Sequence, residues 1–310
     1  MKILVTGGCG YIGTELISKL LKENYKVISV DLQYYGNKLK KHKNLINLKL
    51  NFNDLKKKDL DKVDTVIHLA SISNDPAALL DSKITWETNV LYTQNLLEVC
   101  REAKIKKFLF ASSGSVYGIS KKDKVDENTK LIPLSDYNKT KMIGEKLISR
   151  YQKYFKTVML RPGTVCGFSS SLRLDLTVNA MTHSAITKGK IFVNGGNQIR
   201  PHLHIDDMIN AYIFFLKSNK TGIFNVGFEN LKVIEIAKII KSFYKKCTIK
   251  INKNIDKRSY KLYSKKIIDI GFMPTKKTYN AIKEIIERNK VKKIKVHIDS
   301  IRTLKLKKLI

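Results

Sequence analysis

Residues 3–13 read ILVTGGCGYIG, an apolar run that passes straight into three glycines, Gly7, Gly10 and Gly13, each separated from the next by two residues. Ile3, Leu4 and Val5 suit a strand buried on both faces. Glycines at this spacing let backbone amides approach a pyrophosphate at the N-terminus of the following helix, where unpaired N–H groups and the helix dipole favour an anion. Val27 to Val30 form a second apolar strand ending in Asp31, about 20 residues downstream, where a carboxylate accepts from the hydroxyls of an adenosine ribose. An acid there repels a 2′-phosphate, and no arginine stands near Asp31 in the sequence, so NAD is expected rather than NADP. Strand, glycines, helix and acid in register predict a dinucleotide-binding turn.

The pattern continues beyond Asp31. Strands are predicted at 2–6, 26–30, 46–50, 64–69 and 107–112, with helices at 12–22 and 85–103, a rhythm that implies a doubly wound parallel sheet of the Rossmann type. Ser135 is an N-cap for a further helix that places Ile143, Leu147, Tyr151 and Tyr154 on one face, and a strand follows at 157–160. Past Arg161 the rhythm loosens into a serine-rich stretch, a helix near 176–188 and a hairpin or turn at Asn194, Gly195 and Gly196. A helix at 204–216 and a strand at 223–226 return to the sheet, and a last helix spans about 276–290. This gives a dinucleotide-binding domain over 1–165, rejoined by about 202–228, a smaller substrate-binding region over 166–290 and a basic tail over 291–310.

The 310 residues are 43% hydrophobic, enough for a substantial core. No apolar run of about 18 residues exists and the first strand starts at residue 3, so neither a membrane span nor a signal peptide is expected and the protein is read as cytoplasmic. Cys9, Cys100, Cys166 and Cys247 lie far apart without metal-ligand spacing, and no metal is expected. His202 and His204 lack a third ligand at useful spacing and read as packing residues. The net charge of +32 comes almost entirely from 51 lysines, scattered over every segment, against 8 arginines. Nucleic-acid readers rely on clustered arginine and interleaved aromatics, so no nucleic-acid partner is expected and the lysines are read as solvated faces. Residues 290–310 are the densest basic run and read as a solvated tail.

Tyr137 and Lys141 stand four apart on the helix after Ser135, so both project from one side. An ammonium about 4 Å from a phenol at an effective dielectric near 20 favours the phenolate by roughly 4 kcal/mol, bringing its pKa toward neutrality. Such a phenolate takes a proton from a substrate hydroxyl while the carbon's hydride leaves to nicotinamide. Ser112, Ser113, Ser115 and Tyr117 fall at the carboxyl end of the strand 107–112, the edge where open sheets hold ligands. Ser113 is the hydroxyl chosen to bridge the substrate oxygen and Tyr137.

Together TGGCGYIG, HLA at 68–70, SSGSVYG at 112–118, YNKTK at 137–141 and RPGTVCG at 161–167 resemble the extended short-chain dehydrogenases/reductases, and specifically the NAD-dependent nucleotide-sugar epimerases and dehydratases. The match covers about residues 1–285. It implies Ser113, Tyr137 and Lys141 as the catalytic triad, and NAD held by Gly7, Gly10, Tyr11, Ile12, Gly13, Asp31, Leu69 and Ala70 together with Tyr137 and Lys141. Asn51 and Phe52 fall where an acidic and an apolar residue flank the adenine, Asn51 departing from the usual aspartate. Asn89 matches a structural asparagine near the cofactor-binding strands. The resemblance also implies a nucleotide-sugar substrate, held by Ser113, Asn179, Arg200 and Arg258, the two arginines acting as diphosphate clamps, and a homodimer formed through helices 85–103 and 137–155. Arg173 either orients its loop or reaches the ligand. Guanidinium forks suit phosphate oxygens, and these arginines are conspicuous in a lysine-saturated chain.

In sugar 4,6-dehydratases of this family adjacent Asp and Glu stand where this chain has Gly114 and Ser115. The related decarboxylases keep a glutamate at the Ser115 position, and the fucose-type epimerase/reductases a cysteine at Gly114. What remains is hydride chemistry at a ring carbinol, expected to be 4-epimerisation through a keto sugar, although Thr164 replaces the asparagine common in 4-epimerases. The alternatives are a nucleotide-sugar dehydrogenase or reductase of the same family, and a catalytically silent NAD-binding regulator.

Overall fold

Seven strands make one wholly parallel sheet: β1 (Lys2–Thr6), β2 (Lys26–Asp31), β3 (Leu45–Lys49), β4 (Thr65–His68), β5 (Lys107–Ala111), β6 (Lys156–Pro162) and β7 (Gly222–Val226), in the spatial order β7-β6-β5-β4-β1-β2-β3. The structure, a computed structural model, describes residues 1–119, 124–252 and 259–309. Period-two alternation divides the core between the two faces of the sheet. Ile3 and Val5 pack on one side with Ile17, Leu160 and Phe215, while Leu4 packs on the other with Val66, Leu97, Phe108 and Ile148. Among the described residues no helix is long and apolar enough to cross a membrane.

Helix α1 (Tyr11–Lys22) follows the glycine turn. The predicted helix 85–103 begins earlier, at Ser82–Trp86, passes through a π-helical turn at Glu87–Leu91 and continues as α2 (Tyr92–Glu102). Helix α3 (Asp136–Arg150) is capped by Ser135, whose Oγ accepts from Asn138 N. Its buried side only partly matches the expected face, of which Tyr151 is buried just past the helix end and Leu147 packs against the same core. Lys141, Gly144, Glu145 and Ile148 face inward, Ile143 and Leu147 are half-buried, and Tyr154 lies beyond the helix and is exposed. Apolar side chains misled the reading because the inward positions carry the polar groups of the site.

The rest of the chain forms a smaller layer over the sheet's carboxyl edge. Thr164–Cys166 pairs in parallel with Ile199–His204, which pairs antiparallel with Glu229–Lys232. The turn at Asn194–Gly196 is present, with Gly195 at φ +73° and Gly196 at φ +119°, but it is not a hairpin. The strand before it, Lys190–Asn194, pairs with Thr248–Asn252 instead. Helix α4 (Thr177–Lys188) belongs to this layer, α5 (Ile205–Lys217) returns to the sheet as expected, its Met208, Tyr212 and Phe215 sharing the core of Ile3, Val5 and Leu160, and α6 (Val233–Phe243) and α7 (Thr278–Val291) complete the layer. α4, α6 and α7 share a core built on Val178, Ile191, Ile236 and Ile282, and His204 caps α5 by accepting from Asp206 N. The basic end of the chain is not a freely solvated tail. Arg302–Leu306 forms a short helix in which Arg302 and Leu306 are both buried.

Candidate active site

A cavity of ≈ 850 Å³ runs along the carboxyl edge of the sheet, with the glycine turn at one end and Arg200 and Tyr260 at the other. At the first end the chain leaves β1 through Gly7, at φ +73°. A Cβ on Gly7 would lie 2.7 Å from Ala70 N, and one on Gly13 only 2.3 Å from Gly7 O. Both positions therefore need glycine to let the turn, α1 and the strand beside it close together. Gly10 caps α1 with no side-chain acceptor and no acid in the first turn. The helix's first N–H groups are thus left for an anion from the cavity, and the cradle fits a dinucleotide pyrophosphate.

Asp31 accepts from Cys9 N at 3.0 Å and Gln33 N at 2.6 Å, tying the glycine turn to the loop after β2. Burial raises its pKa against these two amides. Burial, reinforced by the Asp31 charge, pushes the Cys9 thiol up to about 12, so the glycine-turn cysteine is an inert filler. Tyr11, Ile12, Asn51, Phe52, Leu69 and Ala70 line the same end, with Asn51 also capping the turn at Phe52–Asp54. One expectation is corrected here. An arginine does stand near Asp31 in space, because Arg302 returns from the far end of the chain and acts electrostatically on it.

At the catalytic end Ser113, Ser115, Tyr137 and Lys141 line the cavity together. Ser113 Oγ lies 2.7 Å from Ser115 Oγ, which donates to Asn138 Oδ1, so a chain of hydroxyls and an amide backs Ser113. Lys141 is 3% exposed; its Nζ donates to Ala111 O at 2.8 Å and Ser71 Oγ at 3.1 Å, and lies 5.9 Å from the centre of the Tyr137 ring. Burial pulls its pKa down to about 7, against the opposing attraction of Glu145. The expected support for a phenolate is delivered by an ammonium whose pKa burial pulls toward neutrality, not by a permanently charged one.

Beneath the site, Arg161 forms a two-pronged pair with Glu145, at 2.8 Å from Nε and 2.7 Å from Nη2, and donates to Tyr117 OH at 2.8 Å. Ser112, which also lines the cavity, donates to the same Glu145 and so ties the cavity wall to this support. Asn89, in the π-helical turn, accepts from Ile72 N at 2.8 Å and donates to Ile72 O and Thr140 Oγ1, pinning the loop after β4 to α3.

The residues proposed for the substrate diphosphate are treated differently by the fold. Arg200 lines the cavity. Asn179 lies behind its wall, completely buried, with its amide committed to Gly167 N, Tyr11 OH and Arg173 O. Arg258 lies outside the described residues. Arg173 pairs with Asp175 through Nε at 3.0 Å and Nη2 at 2.9 Å and reaches Ser73 Oγ, on the cavity wall. Tyr35, Ser71 and Arg302 also line the cavity and were not singled out from the sequence. For Arg302 a signal existed, since it is one of only eight arginines.

The chain matches the model of the NAD dependent epimerase/dehydratase family over residues 3–227. It is 32% identical over 272 residues to the UDP-glucose 4-epimerase of Lactobacillus helveticus, covering 77% of this chain and 81% of that one. It is 30% identical over 273 residues to the dTDP-D-glucose 4,6-dehydratase of Dictyostelium discoideum, covering 77% and 61%. Its fold is similar to that of the UDP-glucuronic acid 4-epimerase from Bacillus cereus, solved with UDP-glucuronic acid and NAD, at a TM-score of 0.84 and 27% identity over 94% of this chain and 99% of that one. With the glycine cradle, Asp31 and the Ser113, Tyr137 and Lys141 constellation on one cavity, these matches show that the chain belongs to the NAD dependent epimerase/dehydratase family and is an NAD-dependent enzyme.

Proposed function

We propose that the protein is a nucleotide-sugar 4-epimerase that uses NAD as a resident, self-recycling cofactor. The observation that carries this reading is the placement of Tyr137, Lys141 and Ser113 on one cavity wall between the dinucleotide cradle and Arg200. The phenolate of Tyr137 takes the proton from the sugar's C4 hydroxyl, supported by the Lys141 ammonium, and Ser113 Oγ hydrogen-bonds the same oxygen as it becomes a carbonyl. NAD, which the glycine cradle and Asp31 would hold, would supply hydride acceptance and return at C4. On return Tyr137 gives its proton back to the oxygen. No net oxidant is consumed.

The turn that follows Ser113 favours this chemistry over dehydration. A side chain at Gly114 would start with its Cβ 3.0 Å from Pro162 O and 3.4 Å from Tyr260 OH, and Ser115 carries a hydroxyl already engaged with Ser113 and Asn138. No carboxyl group occupies either position to remove or donate the proton that water elimination needs. Arg200 is the diphosphate partner on the described wall, with Arg258 assigned by resemblance and Asn179 bracing the wall from behind. The proposed setting is the cytoplasm, and the proposed assembly is a homodimer through the helices 82–102 and 136–150.

Denaturing the purified protein and identifying the released nucleotide by mass spectrometry tests the reading, together with conversion of UDP-glucose to UDP-galactose without added cofactor. One equivalent of NAD(H) and turnover are expected. Net reduction of added NAD with no epimer formed would replace the epimerase by a dehydrogenase, and failure to bind NAD at all would remove the enzymatic reading.

A further inference from the structure

The last residues fold back over the cavity. Ile298–Ser300 forms a turn, Arg302–Leu306 a short helix, and Leu174 N donates to Ser300 O at 2.7 Å. Thr303, Leu306 and Leu309 line the cavity, and Leu306 is buried. Arg302 lies across the Tyr35 ring, its Cζ 4.0 Å from the ring centre. Nη1 donates to Asp299 O at 2.8 Å, and Nη2 to Ser171 O at 3.3 Å and Ser171 Oγ at 3.0 Å.

Each of these hydrogen-bond acceptors is neutral, yet Arg302 is only 3% exposed. The carboxylates close enough to act on it are committed elsewhere. Asp175 is held in the fork of Arg173, and Asp31 accepts from two backbone amides. Arg173 adds a second positive charge nearby, and burial together with that charge pulls the Arg302 guanidinium down to about 10. A buried cation without an ionic partner is costly, its hydrogen bonds and the Tyr35 ring offset part of that cost, and an anion entering beside it would offset more. The cavity that Arg302 lines is built around a cradle for a dinucleotide, and the anion such a ligand brings is its pyrophosphate.

We propose that Arg302 binds the pyrophosphate of the cofactor and that residues 297–309 form a strap that retains it through the catalytic cycle. This rests on the reading of the protein as an enzyme with a resident NAD. The strap joins the loop after β2, through Tyr35, to the loop 168–176, through Ser171 and Leu174. Those loops border the cradle on either side, so releasing the strap opens both at once. An epimerase that lost its reduced cofactor before returning the hydride would strand a keto sugar, and retention is what the strap supplies.

The test follows release of NADH from the full chain by its fluorescence, in the wild type, in Arg302→Gln and in a variant ending at residue 296. Arg302→Gln keeps a donor for Ser171 and Asp299 while removing the charge. Release at least tenfold faster is expected in both variants, with ADP losing affinity as a competitor by a similar factor and adenosine unaffected. Release at the wild-type rate in both, equal losses for ADP and adenosine, or a loss confined to NADP would each overturn the proposal. A wild type that binds no NADH would instead defeat the functional reading on which it rests.

Discussion

In the proposed mechanism Tyr137 and Lys141 divide the work of one proton between two side chains in different environments. The phenol carries it, and the lysine, 3% exposed and pulled down to about 7, sets whether a charge is present to help. Tyr137→Phe removes the acceptor and keeps the ring, so kcat is expected to fall by ~10²–10⁴ while NAD remains bound; the pair of measurements is epimer formation and cofactor content. Lys141 also leaves a signature in stability. Its folded pKa of about 7 lies below the ordinary 10.5, so the unfolded state binds more protons between these values and stability rises with pH across that window. Below about pH 7 both states are charged and the folded state bears the full burial cost. Lys141→Met removes that cost, and urea unfolding is expected to show its gain over wild type larger near pH 6 than near pH 10. Asp31→Ala is expected to weaken NAD by roughly 10–100-fold, as loss of hydrogen bonds to a charged group implies. Because the carboxylate also repels a 2′-phosphate, the variant should lose affinity for NADP less and become less discriminating, which equilibrium titration of both nucleotides reads directly.

The elements show why some of the site could be found in the sequence and some could not. The glycine turn was visible because the requirement is local. Gly7 and Gly13 admit no Cβ where the backbone of the turn meets Ala70 and itself. Gly13→Ala would set a methyl 2.3 Å from Gly7 O, a backbone contact that no side-chain motion relieves, and should cost about 1–3 kcal/mol of stability in the cofactor-free protein. Chemical denaturation without NAD isolates this strain from the loss of ligand stabilisation. The Ser135 cap and the Tyr137–Lys141 spacing were visible for the same reason, since cap and i, i+4 geometry are properties of one helix. The inward face of α3 was not, because Glu145 is buried by a partner 16 residues away, Arg161, which also reaches Tyr117. A polar residue reads as exposed until its partner is known. The pairing of Lys190–Asn194 with Thr248–Asn252 spans even more chain, and Asn194–Gly195–Gly196 advertises a hairpin that the register does not use. Arg302 is a further case. Its tie to Ser171 spans 131 positions, and only its rarity among lysines marked it in advance.

The whole molecule carries a charge of +32, and that charge opposes the assembly that the proposed function includes. The helices 82–102 and 136–150 pack side by side and leave apolar groups only partly covered. Leu91 is 57% exposed, and Ile143 and Leu147 are half-buried on the neighbouring helix. Water contact with such groups favours a second copy of the chain, and two-fold symmetry lets one patch cover its own image. Two bodies of large like charge repel, however, and salt weakens that repulsion as the screening length falls from about 30 Å at 0.01 M to 8 Å at 0.15 M. The two terms act on different variables, which makes them separable. Sedimentation velocity at fixed protein concentration is expected to show a dimer fraction that rises from low to physiological salt. Ile143→Glu should remove the dimer at every salt concentration while NAD content stays at one equivalent, because Ile143 lies outside the residues that line the cavity. A dimer that dissolves as salt is added would mean that ion pairs hold it instead. A wild type that stays monomeric throughout would remove these helices as an interface, and the catalytic cavity would then belong to a single chain working alone.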